Sequence, residues 1–357
     1  VCVLSLSAIQ MQALQWNKVD MTLKHVTAKV PEVTDDYVLV EVSHAGVCGT
    51  DLHIMQKEFR SSDLVILGHE FSGKVVRVGK NVKNVAVGQR VAIEVNSICG
   101  GCEFCRRGKP HFCKDGLAQA IGVMVDGGFS NFCLVPGTQA IPIPDSLPLD
   151  KAALCEPCSC IIHGYELLGK VEDGSNILIM GAGIIGLLWA SMLHHRGFRN
   201  VTMVEVADGR RQLAKDAGLG FDVLHPSALE ESFKGKEASE DGFDIVVDCT
   251  GNSKAVEMAF YMLKSGGKLL IFGCAPPTAE IKVKPAQIQF KELSIIGVQI
   301  NPYCFTKAVT LVSDMADKYL DFKRLGIEIF TLNQYETAIS KLKAGQISKA
   351  MFCVKKE

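Results

Sequence analysis

The chain has 357 residues, with 38 Lys and Arg against 39 Asp and Glu. It is long enough for two domains and lacks the basic excess that a nucleic-acid binder would carry. Fourteen cysteines in a chain of this length argue against a small disulfide scaffold and for reduced thiols, metal binding and a cytoplasmic setting.

The start, VCVLSLSAIQMQAL, has no basic region or small-residue cleavage site and reads as a lead-in to a first strand, trimmed at its beginning. DYVLVEVSHA at 36–45 alternates apolar and polar residues with β-branched enrichment, the pattern of a half-buried strand. GVCGTDLH at 46–53 then supplies Cys48, Thr50 and His53, and GHEFSGKVVRVG from 68 sets His69 beside Glu70 at the head of another strand. A thiolate, an imidazole and a carboxylate leave one position open for water, which is the incomplete shell of a catalytic zinc.

CGGCEFCRRGKPHFC at 99–113 holds Cys99, Cys102, Cys105 and Cys113. Four thiolates at this spacing close a tetrahedral structural zinc site with no open position, and an iron–sulfur cluster is the alternative. Arg106, Arg107 and Lys109 stand where they could offset its negative charge. The proline-rich IPIPDSLPLDKAAL at 141–154 marks a boundary.

From about 174 strands alternate with helices, the pattern of a doubly wound parallel sheet. The longest apolar run, NILIMGAGIIGLLWASML at 176–193, is broken by glycines and reads as a buried strand and helix, so no membrane span is expected. Gly181, Gly183, Ile184, Ile185 and Gly186 form the turn between them, which suits a dinucleotide diphosphate at the helix N-terminus. Glu205 ends the next strand, where a carboxylate binds ribose hydroxyls and repels a 2′-phosphate, favouring NAD. Arg210 follows where it could cover the adenine.

GVCGTDLH, GHEFSGKVVRVG, the four-cysteine loop, ALCEP and GAGIIG stand in the order of the zinc-dependent medium-chain dehydrogenase/reductases, and the chain resembles their sorbitol (polyol) and threonine dehydrogenase branch. The resemblance implies a GroES-like β-rich catalytic domain over 1–160, completed by 302–357, and a Rossmann-like NAD-binding domain over 161–301. It implies two zinc ions per chain and a homodimer or homotetramer. Cys48 and His69 match the catalytic zinc ligands. Glu70 is a direct ligand in polyol dehydrogenases, and Glu156 takes the third protein position in some members, so the choice between them stays open. Thr50 resembles the relay hydroxyl and His53 its outlet to solvent. Lys349 stands where the family often has a basic residue, and the thiols of CEPCSC read as packing. His163, His194 and His195 are expected on helix surfaces.

The implied reaction moves a hydride between a secondary alcohol and NAD, with a small polyol as substrate. L-threonine is the alternative, because GTDLHI and FKELSIIG look closer to threonine dehydrogenases. Ile54 and the arginine-free IIGVQINPYC depart from the sorbitol pattern, and EP departs from the DP of the threonine subfamily. A zinc-free reductase would lack both metal motifs. A catalytically silent relative acting as a binding protein would have lost a ligand or relay residue, and none is missing.

Overall fold

The computed structural model describes residues 10–354. The part of the expected lead-in over residues 1–9 lies outside the described residues. The chain divides into two compact units. One takes the described residues through Ser159, then Asn301–Ala316 and the residues from Glu328 onward; the other takes Cys160–Ile300 and Asp317–Ile327.

The first unit is built on two sheets. Gln10–Asn17 pairs antiparallel with Thr22–Lys29 and, on its other edge, with Leu64–Ile66. The larger sheet runs in the order Ile327–Phe330, Lys349–Cys353, Tyr37–Gly46, Glu70–Val78, Arg90–Ile93, Ala140–Pro142, and Phe132–Pro136 also pairs with Tyr37–Gly46. Tyr37–Gly46 is therefore central, and its Val38, Leu39, Val40, Val42 and Ala45 are fully buried. Each of the Val and Leu side chains contributes about 1.5–3 kcal/mol by leaving water. Its ladder with Glu70–Val78 shifts register between Val42 and His44, just before the strand delivers Gly46 opposite Glu70. Shifts of this kind re-aim side chains near functional sites.

The second unit carries a six-stranded parallel sheet in the order Asp222–Leu224, Val201–Val204, Ile177–Met180, Phe243–Asp248, Leu263–Ile271, Ser294–Gly297. The strand order reverses between Ile177–Met180 and Phe243–Asp248, and nucleotides bind beyond the carboxyl ends of strands at such a switch point. The apolar run at 176–193 becomes the buried strand Ile177–Met180 and the helix Ile184–His195, which is buried from Gly186 to Leu193.

Asp317–Ile327 packs with this second unit, whereas the resemblance assigned all of 302–357 to the first. The short helix Phe322–Leu325 is capped by Asp321, whose Oδ1 accepts from Arg324 N at 2.8 Å, and it ends at Gly326 in the left-handed conformation. A Cβ on Gly326 would lie 2.6 Å from Leu213 Cδ2, so this turn sits tight against the helix Asp208–Asp216.

His163 is a second departure. It is buried on the helix Cys155–Leu167, not at the surface, and His194 is half-buried with Nδ1 2.9 Å from the Tyr319 hydroxyl. His195 is exposed as expected. Cys155 and Cys158 are buried, while Cys160 is partly exposed. Among the described residues no helix is long and apolar enough to cross a membrane.

Candidate active site and coenzyme pocket

Three neighbouring strands and one short helix assemble the first cluster. Tyr37–Gly46 runs into Cys48, which is the N-cap of the helix Gly49–Met55. Gly68, at φ +97°, turns the chain into Glu70–Val78 so that His69 and Glu70 enter at the strand's head; a Cβ there would strike Phe129. Lys349–Cys353 lies on the other edge of the central strand, with Met351 opposite Gly46. One ligand-capable atom from each of Cys48, His69 and Glu70 lies within 4.8 Å of the other two. Glu156, at the start of the helix Cys155–Leu167, is outside that set.

Two charged groups brace this cluster. Asp51 is fully buried; its Oδ2 accepts the Cys48 backbone N–H at 2.8 Å and its Oδ1 stands 3.5 Å from His69 Nδ1. With Nδ1 turned to a carboxylate, Nε2 is the ring nitrogen left to ligate, the usual arrangement behind a metal-bound histidine. Lys349 is buried, pairs through Nζ with Glu70 Oε2, and donates to Val47 O at 3.2 Å. Gly46 leaves room for this pair: a Cβ would lie 2.4 Å from Glu70 Oε2 and 2.6 Å from Lys349 Cε.

The electrostatics suit a cation. Burial pushes the His69 imidazole down, yet Asp51 and Cys48 outweigh it and hold the ring well above its ordinary range. A pocket that draws a proton onto a buried imidazole equally draws a metal ion onto it. Burial opposes the charge on Lys349 too, and Glu70 and Cys48 more than restore it. Burial takes Glu156 up to about 7, with Glu70 and Glu94 adding to the push and His69 and Lys349 opposing it. Thr50 Oγ1 lies 3.7 Å from Cys48 Sγ, and His53 follows one helical turn later.

The second cluster is Cys99, Cys102, Cys105 and Cys113. Backbone N–H groups face three of the sulfurs: Cys102 N to Cys99 Sγ at 3.3 Å, Cys105 N to Cys102 Sγ at 3.5 Å, and Gly116 N to Cys113 Sγ at 3.3 Å. Such donors stabilise thiolates, and those from Cys99 and Gly116 hold the Cys113 thiol down to about 6. Cys105 is pushed up to about 12, first by desolvation and then by Cys102. Four sulfurs drawn together, three of them facing backbone N–H donors, fit a shared cation. Cys99 Sγ and Cys105 Sγ are 4.0 Å apart, close to the edge of roughly 3.8 Å of a tetrahedron with metal–sulfur bonds near 2.3 Å. Arg107 is paired with Glu103, so the backbone donors contribute more to charge balance here than the sequence suggested.

In the second unit, a pocket of about 590 Å³ opens at the glycine turn, lined in part by Gly181, Gly183, Glu205, Arg210, Thr250 and Lys254. Gly181 needs its freedom, at φ +97° with Thr250 Cγ2 2.9 Å from a built Cβ. Gly186 lets helix meet strand, since its Cβ would lie 2.0 Å from Gly181 O. Gly183 has an ordinary φ of −72°, and apart from its chain neighbours nothing lies within 4 Å of a built Cβ. Its missing side chain serves no protein contact and leaves room for a ligand. The helix beginning at Ile184, followed by Ile185, has no side-chain cap, so its first N–H groups are free for a diphosphate. Glu205 is held by N–H groups of Ala182 at 2.9 Å and Ala207 at 3.0 Å, one on each carboxylate oxygen, which leaves each oxygen a lone pair for a ribose hydroxyl. Arg210 Nε is buried without a hydrogen-bond partner. These features fit a dinucleotide.

Several residues escaped the sequence reading. Asp51 was legible in principle as the N3 acid of a capping box. Asp248 holds the turn at the pocket, accepting from Thr250 N at 2.9 Å and Gly251 N at 3.2 Å, and only the D at the end of FDIVVD hinted at it. Thr250, Asn252 and Lys254 also line the pocket, at the start of the helix Ser253–Tyr261, whose N-cap is Asn252.

The comparisons agree with this geometry. Residues 34–145 match the alcohol dehydrogenase GroES-like domain and residues 185–314 the zinc-binding dehydrogenase family. D-arabinitol dehydrogenase 1 of Uromyces fabae is 32% identical over 95% of this chain and 96% of its own length. The L-threonine 3-dehydrogenase of Legionella pneumophila strain Corby is 30% identical over 90% and 94%. A zinc-binding dehydrogenase from Sinorhizobium meliloti 1021, solved bound to NADP, superposes with a TM-score of 0.88 at 31% identity, covering 97% of this chain and 99% of that one. With a GroES-like unit, a Rossmann-like parallel sheet and relatives matched along nearly its whole length, the chain belongs to the zinc-dependent medium-chain dehydrogenases, in the branch of polyol and threonine dehydrogenases, and is an oxidoreductase.

Proposed function

We propose that this enzyme oxidises a secondary hydroxyl of a small polyol, such as a pentitol or hexitol, with NAD, and carries two zinc ions per chain. In this reading the first unit is the catalytic domain and the second the coenzyme domain. The observation that carries the catalytic assignment is the convergence within 4.8 Å of a partly exposed Cys48 with the buried His69 and Glu70. Glu70 is the favoured third ligand, with Glu156 standing by. Cys99, Cys102, Cys105 and Cys113 would hold the structural ion.

Bound at these sites, zinc would supply the Lewis acidity that lowers an alcohol's pKa, and NAD would take up the hydride. Thr50 accepts the alcohol's proton and His53 passes it to solvent. Asp51 keeps the His69 ring oriented, and Lys349 restrains Glu70. Glu205 binds the adenosine ribose and disfavours a 2′-phosphate. Steady-state assays with both coenzymes test this, and a higher kcat/KM with NADP would sink it.

The polyol reading is supported by the GHE and EP glutamates and by the arabinitol dehydrogenase relative. The threonine dehydrogenase relatives favour L-threonine. Lys349 does not provide a carboxylate anchor for an amino acid, because it is committed to Glu70. NAD reduction measured across pentitols, hexitols, 2,3-butanediol, L-threonine and primary alcohols decides the matter, and a clear preference for threonine would refute the polyol substrate while leaving the chemistry intact. A homodimer or homotetramer is supported by the edge strand Ser294–Gly297, largely exposed and preceded by Phe290 at 81% exposure; light scattering reads the state. Fourteen cysteines in a chain too long for a small disulfide scaffold support a reducing, cytoplasmic setting.

A further inference from the structure

His53 has a partner that the reaction scheme above does not use. Its Nδ1 lies 2.6 Å from Glu58 Oε2, at the solvent side of the helix Gly49–Met55. Glu58 reaches this position through the way the helix ends. Glu58 N donates to His53 O at 2.9 Å and Lys57 N to Ile54 O at 3.0 Å. Those two bonds are a Schellman motif, with Lys57 in the left-handed position that glycine normally fills. Lys57 sits there at φ 61° despite carrying a side chain. The strained turn brings the residue after it back onto the residue three before the C-cap Gln56, so Glu58 is directed at His53 by backbone geometry as well as by charge.

Exposed pairs of this kind contribute little to stability. What a short bond to one ring nitrogen does contribute is a fixed tautomer and a fixed ring plane. We propose that Glu58 is a positioning residue for the proton outlet: it accepts the His53 Nδ1 hydrogen, leaving Nε2 as the nitrogen that takes the proton arriving from Thr50 and returns it to water. The proton gained at Nε2 leaves from Nε2, so the ring and the carboxylate end each turnover as they began. This inference rests on the reading of Thr50 and His53 as the relay.

The test separates the two. On uniformly 15N-labelled protein, long-range 1H–15N correlation reports the His53 tautomer without any turnover. The expected result is an Nδ1–H ring in the native protein and a shift toward Nε2–H or a mixture in Glu58→Gln. In steady-state assays on the zinc-loaded enzyme with its best alcohol, Glu58→Gln lowers kcat on the order of tenfold with KM changed less than twofold, and Glu58→Asp recovers most of the loss. A merely structural role would move neither the tautomer nor kcat alone. A native Nε2–H ring, or an unchanged tautomer in Glu58→Gln, overturns the proposal. So does an unchanged kcat in Glu58→Gln while His53→Ala loses activity. If His53→Ala keeps full kcat, the relay reading itself falls and takes the positioning role with it, whatever the tautomer shows.

Discussion

The four-cysteine loop draws all its sulfurs from residues 99–113, whereas the Cys48, His69 and Glu70 cluster gathers members from two strand ends and is braced by Asp51 and by Lys349 from the far end of the chain. The loop is partly exposed and its charge is met by backbone N–H groups that its own short helices supply. In the other cluster His69 and Glu70 are buried and Cys48 is partly exposed, and the charge is met by side chains from elsewhere in the unit. A local site with four like ligands can only hold; a site assembled from unlike ligands, with a hydroxyl and a histidine on the adjoining helix, can also react.

Breaking each cluster in turn exposes that difference. Cys48→Ala should lose one of two zinc ions by metal analysis and lower kcat/KM by roughly a thousandfold or more, about 4 kcal/mol of barrier, while the melting curve stays close to that of the native protein. Retained activity would refute the catalytic assignment. Lys349→Met leaves Glu70 buried without its cation, and removing one partner of a buried pair costs about 3–5 kcal/mol. Chemical denaturation of metal-free protein should read that loss, and a change under 1 kcal/mol would mean water or movement satisfies Glu70. Cys102→Ala should release the other zinc and destabilise the first unit by roughly 3 kcal/mol, with residual activity tracking the folded fraction. Activity lost faster than fold would blur the division of labour.

The smallest expected effect sharpens the contrast. Glu94 lies between the strand Arg90–Ile93 and the cysteine loop and is largely buried, with Asn96 and Asn301 as hydrogen-bond partners. Burial raises its pKa to about 7, against the hydrogen bonds from Asn96 and Asn301. Because the folded value lies above the unfolded one, the stability linked to this group is full below about pH 4.5 and is lost as pH rises through about 7. Glu94→Gln should therefore flatten stability between those limits, by about 2 kcal/mol at the upper end. An unchanged pH slope would show that the carboxylate ionises freely.

What the sequence alone determined was everything whose parts lie close together along the chain. The four cysteines, the glycine turn with Glu205, and the Cys48–Thr50–His53 spacing are short-range patterns, and short-range geometry is dictated by local backbone rules. Strands such as Tyr37–Gly46 were legible because their apolar period is two. The strand Asp222–Leu224 was not, since three residues carry no period, and Asp317–Ile327 was assigned to the wrong unit because its docking on Leu213 is a contact across a hundred residues. Only the tertiary structure decided that Glu70, and not Glu156, joins Cys48 and His69 within 4.8 Å, and that Lys349 and Asp51 stand behind them. Those outcomes depend on strand register and on a bulge near His44. Register is set by the packing of whole sheets, a sum over many distant contacts that no single stretch of sequence contains.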